Sequence, residues 1–209
     1  MAIYLIEHQV GFDAAVAGFP GLGSCMAVAL LTTRGIYGFH FTPAPIAQAA
    51  QFAQYITNNI APGENHLRLY GSCYWANRYH GGAQAQWEAE MTAIANAINF
   101  QGPVRGYDTS AWTAHTDPHD TTYLEYRVNA GKCKIFYKKS AKMVFYKPKI
   151  TANPGIQRIK PNVAVPGQYV MANPTETKNI HGAMVMPTTG NQGELHEVGI
   201  FGKHSFDIP

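Results

Sequence analysis

The sequence predicts an α/β fold: a mixed β-sheet sandwich packed by two helices, with a C-terminal extension rich in loops and short strands. Short apolar runs bounded by turn residues alternate with two stretches that have helical spacing. This order of elements is typical of a sheet that packs helices against a shared core. Apolar residues make up 46% of the 209 residues and charged residues only 14%, so the chain has enough apolar material for a substantial core.

The predicted strands lie mainly before residue 148. Residues 2–6 form a short candidate strand, and residues 11–20 are turn-rich with alanines that favour a helical turn. Two strands at 25–31 and 36–41 then surround a turn at 32–35. Further strands are predicted at 66–72, 103–107, 122–128, 133–137 and 142–147, and an Asn-Ala-Gly turn joins the third of these to the fourth.

Two amphipathic helices are predicted between the strands. Residues 46–60 carry apolar side chains at helical spacing after a proline pair, and residues 83–99 show the same periodicity. After Lys147 prolines recur and no helical period survives. We therefore divide the chain into a main domain, residues 1–147, and an extension, residues 148–209, that wraps the main domain with loops and short strands.

The composition argues against several classes of protein. The N-terminal segment carries Glu7 and Asp13 without a basic region, unlike a secretory signal, and no apolar run is long enough for a membrane span. The cysteines, Cys25, Cys73 and Cys133, are sparse and odd in number, which argues against a disulfide framework. We expect a cytoplasmic protein, or one delivered into a target cell without a cleaved signal peptide.

Basic residues are concentrated between residues 127 and 160, where ten lysines and arginines occur without an acidic residue. Lysines alternate there with aromatic and aliphatic residues, which is typical of a strand pair with a solvated lysine face and a buried aromatic face. The alternative is a docking face for an acidic partner. Nucleic acid is not an expected partner.

The strongest chemical signal is the segment Gly-Leu-Gly-Ser-Cys, residues 21–25, together with His40. Cys25 opens one predicted strand and His40 lies near the end of the next, so an antiparallel hairpin brings the thiol near the imidazole. A thiol beside an imidazole is the minimal nucleophile–base pair for acyl transfer. The alternative is a small buried cysteine and a satisfied core histidine.

This segment and the elements after it resemble the CheD family of chemoreceptor glutamine deamidases. The similarity covers roughly residues 15–140: GLGSC, GFHFTPAP with its histidine, LRLYGS, GPVRGYDTS and the hairpin TTYLEYRVNAGKCKIFYKK follow in the family's order. The family shares its fold with cytotoxic necrotizing factor-type bacterial toxins, which also use a Cys/His pair. The resemblance implies hydrolysis of a protein glutamine amide to glutamate, with release of ammonia and without a cofactor.

The resemblance assigns Cys25 as the nucleophile and His40 as the base. Histidine pairing is expected to lower the pKa of the thiol and so to make it reactive. The backbone N–H groups around Gly23 and Ser24 are the expected oxyanion donors.

One family position differs. The family has a threonine that orients the histidine, and Phe19 stands there in this sequence. A phenyl ring accepts no hydrogen bond from the imidazole N–H, so another acceptor is needed. We expect a backbone carbonyl of residues 17–24 first, and a threonine hydroxyl second, from the Thr32–Thr33 turn or from Thr42.

A rival pair is formed by Cys73 and His80, in a segment that faintly resembles papain-like proteases. Tyr74 interrupts that match. On the CheD resemblance this loop lies at the edge of the active site, where Tyr74, Trp75 and Asn77 would shape substrate access.

Residues 115–120 contain four potential metal ligands. Their Asp-Pro step is also a common turn, and solvated His/Asp loops are frequent, so we expect no metal. The histidines at 181, 196 and 204 add no recognised ligand spacing.

Three functions remain open. The first is a deamidase whose protein substrate is a chemoreceptor, or a host or competitor protein if the chain is a bacterial effector. The second is a catalytically inactive binding module that uses the basic 127–160 face. The third is a transglutaminase, in which an amine replaces water. Phe19 and the extra tail favour an effector-type or divergent member over an orthodox chemotaxis protein.

Overall fold

The structure, a computed structural model, describes residues 2–43, 46–80, 83–115, 120–140, 155–172 and 195–209. Within these ranges the chain forms three helices and two β-sheets, one of eight strands and one of five. The sheet-rich α/β fold class is therefore confirmed. β-strand periodicity predicts strands but not which strands pair, so the division into two sheets is seen only in the structure.

The bounds of the helices and strands are as follows. In chain order they are β1 (Ile3–Tyr4), β2 (Gln9–Asp13), β3 (Val16–Leu22), β4 (Met26–Thr32), β5 (Ile36–Phe41), α1 (Ala47–Asn59), β6 (His66–Cys73), α2 (Trp75–Arg78), α3 (Ala83–Ala97), β7 (Gly102–Asp108), a 3-10 turn (Thr109–Ala111), β8 (Thr121–Asn129), β9 (Lys132–Ser140), β10 (Ile156–Pro161), β11 (Tyr169–Ala172), β12 (His196–Glu197) and β13 (Lys203–Ile208).

The large sheet has the strand order β11-β10-β2-β5-β4-β6-β7-β13, and the small sheet has the order β1-β3-β8-β9-β12. Neighbours are antiparallel except for β6 with β7 and β1 with β3. The parallel β6–β7 pair is joined through α2 and α3, because parallel neighbours need a long crossover.

Residues 11–20 form no helical turn, so that prediction is wrong. They contribute to two strands, β2 and β3, which a tight turn joins. The Asp13 carboxylate accepts hydrogen bonds from the backbone N–H groups of Ala15 and Val16, both at 2.8 Å. An aspartate side chain that accepts hydrogen bonds from N–H groups two and three residues later in the chain stabilises a turn.

Both faces of the large sheet are buried at its central strands β4 and β5. Along β4, Met26, Val28 and Leu30 pack in the layer that contains the helices. Ala27 and Ala29 pack in the layer shared with the small sheet. Because successive side chains of a strand point to opposite faces, a strand covered on both sides reads as a continuous apolar run.

Strands from the C-terminal extension join both sheets. β10 and β11 lie at one edge of the large sheet and β13 at the other, while β12 pairs with β9 in the small sheet. The division of the chain at residues 147 and 148 stays a prediction. The predicted strand 142–147 and that boundary lie outside the described residues.

Candidate active site

Cys25 and His40 lie on one face of the large sheet, at the end where β4 begins. Ala27 of β4 is directly opposite His40 of β5 in the antiparallel register. Cys25 lies two residues before Ala27, so its side chain points to the same face of the sheet. Cys25 and His40 are therefore diagonal neighbours, whose backbones are separated by roughly 7–8 Å in such a pair. Both side chains are buried in the layer between the sheets, with 5% and 1% of their surfaces exposed.

The imidazole of His40 is held by a backbone carbonyl. Its Nδ1 lies 2.8 Å from the carbonyl oxygen of Leu5. Because a carbonyl only accepts, Nδ1 carries the proton and the lone pair is on Nε2. We expected the acceptor for the His40 ring to be a carbonyl of residues 17–24, and that prediction is wrong. Leu5 supplies it because its N–H donates to the carbonyl of Gly18 at 2.8 Å, which fixes the segment after β1 beside the site.

Phe19 is a buried wall of the site, with none of its surface exposed. Its ring centroid lies 6.4 Å from that of His40, with the planes tilted by 52°. Phe19 therefore shields the imidazole from water and contributes no acceptor.

The second nitrogen of His40 is buried without a partner. Among the side chains and backbone groups that the structure describes, none forms a hydrogen bond with Nε2. Burial, as the largest cause, lowers the pKa of His40 to about 4. Water stabilises a charged imidazolium and an apolar layer does not, so the ring is neutral at pH 7.

The thiol of Cys25 faces a carboxylate rather than the imidazole. Cys25 Sγ lies 3.7 Å from Oε1 of Glu7, which accepts its hydrogen bond. Burial first and the Glu7 carboxylate second raise the pKa of Cys25 to about 12, while the guanidinium of Arg78 acts in the opposite direction. The expected lowering of the thiol pKa by a charged histidine is therefore wrong for this state, because His40 is neutral.

Arg78 is a site residue that sequence reasoning missed. Its Nη1 donates to the carbonyl oxygens of Ser24, at 2.7 Å, and Phe41, at 3.4 Å. Nη2 donates to the carbonyl of Thr42 at 3.4 Å and forms a 2.5 Å ion pair with Glu90 of α3. Arg78 thus ties the loop before Cys25 to the end of β5. The available signal was a basic residue inside the aromatic segment YWANRY.

Thr42 is not the group that orients His40. β5 ends at Phe41, and the Thr42 hydroxyl lies 3.5 Å from Nδ1 of His8 and accepts from Nε2 of Gln48 at 3.4 Å. His8 has a φ of 65°, a left-handed backbone that is uncommon for a residue with a side chain. Its N–H donates to the carbonyl of His40 at 3.0 Å, so Thr42 supports the site through His8.

Gly23 and Ser24 lie in the half-buried loop between β3 and β4. A Cβ added to Gly23 would meet open space, so the backbone beside Cys25 is approachable. The carbonyl of Ser24 is held by Arg78. Their role as oxyanion donors stays a prediction.

Tyr74, Trp75 and Asn77, the residues predicted to shape substrate access, do not all lie beside Cys25. Tyr74 follows Cys73, which is opposite Met26, so Tyr74 flanks Cys25 on the β6 side. Its ring stacks on His115 with centroids 3.8 Å apart, and Asn77 is exposed.

Trp75 does not line the approach to Cys25. It is buried in the layer that contains the helices, where it stacks on Trp87 and His204 at centroid distances of 5.8 and 4.2 Å. The prediction of an access role is wrong for this residue, because α2 begins at Trp75 and turns its side chain into the core.

The Cys73–His80 pair does not form a second Cys–His site in the structure. Cys73 is fully buried in the layer that contains the helices, on the opposite face from Cys25, and His80 is exposed. Part of the 115–120 segment lies outside the described residues. Within the described ranges, no group of three or more His, Cys, Asp or Glu residues could hold a metal ion.

Comparisons with known proteins add no identification. No protein-family model matches the chain, and no curated protein matches its sequence. Of the helices described, none is long and apolar enough to cross a membrane.

Proposed function

We propose that this protein is a cysteine-dependent protein glutamine deamidase with Cys25 as nucleophile and His40 as general base. One observation carries the proposal: His40 is anchored through Nδ1 to Leu5 and keeps an unpartnered Nε2 among the described residues, on the face that also carries Cys25. Most buried polar groups have a hydrogen-bond partner, whereas a general base needs one nitrogen free. Buried nitrogens of His66 and His115 also have no partner among the described residues, but only His40 shares its face of the β4–β5 hairpin with a cysteine.

The first half-reaction forms a thioester. Sγ of Cys25 attacks the amide carbon, a C–S bond forms, and the thiol proton passes to Nε2 of His40. The C–N bond then breaks, and Nε2 returns the proton to the leaving nitrogen as ammonia departs. In the second half-reaction water attacks the thioester, the C–S bond breaks, and the water proton returns through Nε2 to sulfur.

The described state is a resting one. The pKa of Cys25 is near 12 and that of His40 is near 4, so the proton stays on sulfur. The thiol donates a hydrogen bond to Glu7 in this state. Proton transfer to Nε2 therefore requires the thiol to leave Glu7 and turn toward His40. Developing charge on the amide oxygen would be held by N–H groups of the Gly23–Ser24 loop, a contribution of about 3–4 kcal/mol for one such donor.

The CheD resemblance points to a glutamine side chain on a protein as the substrate. Such a protein is a chemoreceptor, or a host or competitor protein for an effector-type bacterial enzyme. The open space at Gly23 supports a bulky substrate, since the backbone of a partner can approach there.

The alternative binding-module function has less support. Lys134 forms an ion pair with Glu197, and Lys139 forms one with Asp120, both at 3.1 Å. Lys138 is buried, with 5% of its surface exposed. These lysines are occupied within the chain, which leaves less positive charge for an acidic partner.

The test uses the dipeptide substrate carbobenzoxy-Gln-Gly and measures ammonia release and the mass change of Gln to Glu. We expect Cys25→Ala and His40→Asn each to abolish turnover, and the double variant to be no worse than either single one, because the two residues act as a unit. Cys133→Ala, a half-buried cysteine in β9, is the control and should retain activity. Turnover that survives Cys25→Ala contradicts the proposal, and incorporation of an added amine would indicate a transglutaminase.

A further inference from the structure

Glu7 lies in the turn between β1 and β2 and is exposed. Nevertheless its carboxylate reaches the buried thiol of Cys25, with Oε1 at 3.7 Å from Sγ. The nearby cation, Arg78, directs its ion pair to Glu90 and its remaining donors to backbone carbonyls. The Glu7 carboxylate is thus placed beside the nucleophile, at the outer side of the site.

The hydrogen bond that the Cys25 thiol makes and the hydrogen bond that His40 lacks are related. The thiol donates to Glu7, and Nε2 of His40, the proposed base, has no donor among the described residues. If another donor takes the place of the thiol at Glu7, the S–H group becomes available to Nε2. A buried polar nitrogen without a partner is unfavourable, so the exchange satisfies a group that the resting state leaves unsatisfied.

We infer that the Glu7 carboxylate recognises the –NH2 group of the substrate's primary carboxamide, which replaces the Cys25 thiol as the hydrogen-bond donor to Glu7. This inference rests on the proposed function and names the chemical class that the site selects. A primary carboxamide brings two N–H donors, and an ionised carboxylate is a pure acceptor. A hydrogen bond to a charged acceptor is stronger than a neutral one.

The same carboxylate discriminates between substrate and product. Hydrolysis replaces the amide by a carboxylate, which has no N–H to donate and carries the same charge as Glu7. Like charges in a partly desolvated site repel, so glutamate is expelled after the thioester is hydrolysed. An ester has no N–H either and gains nothing from Glu7.

The experiment compares Glu7→Gln and Glu7→Ala with the wild-type protein and with Glu88→Gln, a half-buried glutamate of α3, as the control. Carbobenzoxy-Gln-Gly reports amide hydrolysis, p-nitrophenyl acetate reports attack on an ester, and N-ethylmaleimide reports the reactivity of Cys25. We expect kcat/KM for the amide to fall at least about tenfold in Glu7→Ala, in line with the loss of a charge-assisted hydrogen bond. Ester turnover should stay equal or rise, and alkylation of Cys25 should become faster.

Two results would overturn the inference while leaving the proposed function intact. If both Glu7 variants raise amide and ester turnover together, Glu7 only covers the thiol. If neither turnover changes, the carboxylate takes no part. The proposed function fails separately, if wild-type amide hydrolysis does not depend on Cys25. Glu7 is exposed, so both variants should fold, and circular dichroism checks this.

Discussion

Nδ1 of His40 donates a hydrogen bond to the carbonyl oxygen of Leu5, at 2.8 Å. This contact couples the second strand of the β4–β5 hairpin to the N-terminal segment after β1. The orientation of the proposed base therefore depends on the backbone of a distant segment.

His40→Asn tests the two nitrogens of the ring separately. The Asn amide nitrogen lies close to the position of Nδ1 and can still donate to Leu5, but nothing replaces Nε2. We expect stability close to that of the wild type and loss of amide hydrolysis. His40→Leu removes both nitrogens and leaves the buried Leu5 carbonyl without its donor, at a cost of about 1–3 kcal/mol. Urea unfolding and ammonia release measure the two effects, and hydrolysis by His40→Asn would exclude His40 as the base.

The thiols should be unreactive at neutral pH. Burial and Glu7 raise the pKa of Cys25 to about 12, and burial raises that of Cys133 to about 12 as well. Because the thiolate is the nucleophile, alkylation of Cys25 by N-ethylmaleimide should rise about tenfold per pH unit well into the alkaline range. Peptide mass spectrometry follows each site, with the denatured protein as reference. Rapid labelling of Cys25 at pH 7 would contradict this resting state.

His40 should make the protein less stable in mild acid. Burial lowers its pKa to about 4 in the folded state, against about 6.5 in an unfolded chain. Above pH 6.5 the ring is neutral in both states and the effect is absent. As the pH falls from 6.5 toward 4, the unfolded state binds a proton that the folded state does not, so the free energy of unfolding decreases.

The matched comparison is His40→Asn, because all other histidines are common to both proteins. Urea unfolding at pH 7 and pH 5 should show a larger loss for the wild type than for the variant. Equal losses would mean that His40 is not buried in its neutral form.

Arg78 should support both stability and activity. Arg78→Met leaves Glu90 without its cation and the Ser24 carbonyl without its donor, and removal of one partner of a buried ion pair costs about 3–5 kcal/mol. The double variant Arg78→Met/Glu90→Gln should regain part of this stability. Because the Cys25 loop loses its tie to β5, activity should stay low in the double variant. Full recovery of activity would show that Arg78 acts only through Glu90.

Gly23 provides a test of substrate approach. An added Cβ meets open space at Gly23, but at Gly106 it would collide with the backbone oxygen of Gly71 and the ring of Trp87. Gly23→Val should therefore leave the thermal midpoint nearly unchanged and reduce turnover of a protein substrate more than that of carbobenzoxy-Gln-Gly. Gly106→Ala should unfold at a lower temperature. Unchanged turnover of both substrates by Gly23→Val would place the approach elsewhere.

Local sequence patterns determined the elements that carry the site. The apolar run after Cys25, the turn at 32–35 and the run that contains His40 predicted the hairpin β4–β5 with nearly its observed bounds, and the 46–60 periodicity predicted α1. These features depend on side-chain alternation and helical spacing, which are properties of neighbouring residues. Alternation also places Cys25 and His40 on one face as soon as the hairpin register is known.

Only the tertiary structure decided the surroundings of that pair. The second sheet, the Leu5 carbonyl at His40, the Glu7 carboxylate at Cys25 and the Arg78 bridge to Ser24 all join residues far apart in the chain. No local period encodes such contacts. The pKa of a buried thiol or imidazole depends on the charges and desolvation around it, so the protonation state of the site could not be read from the segment GLGSC. The sequence specified that Cys25 and His40 lie on one hairpin, and the packing of distant segments specified their protonation state.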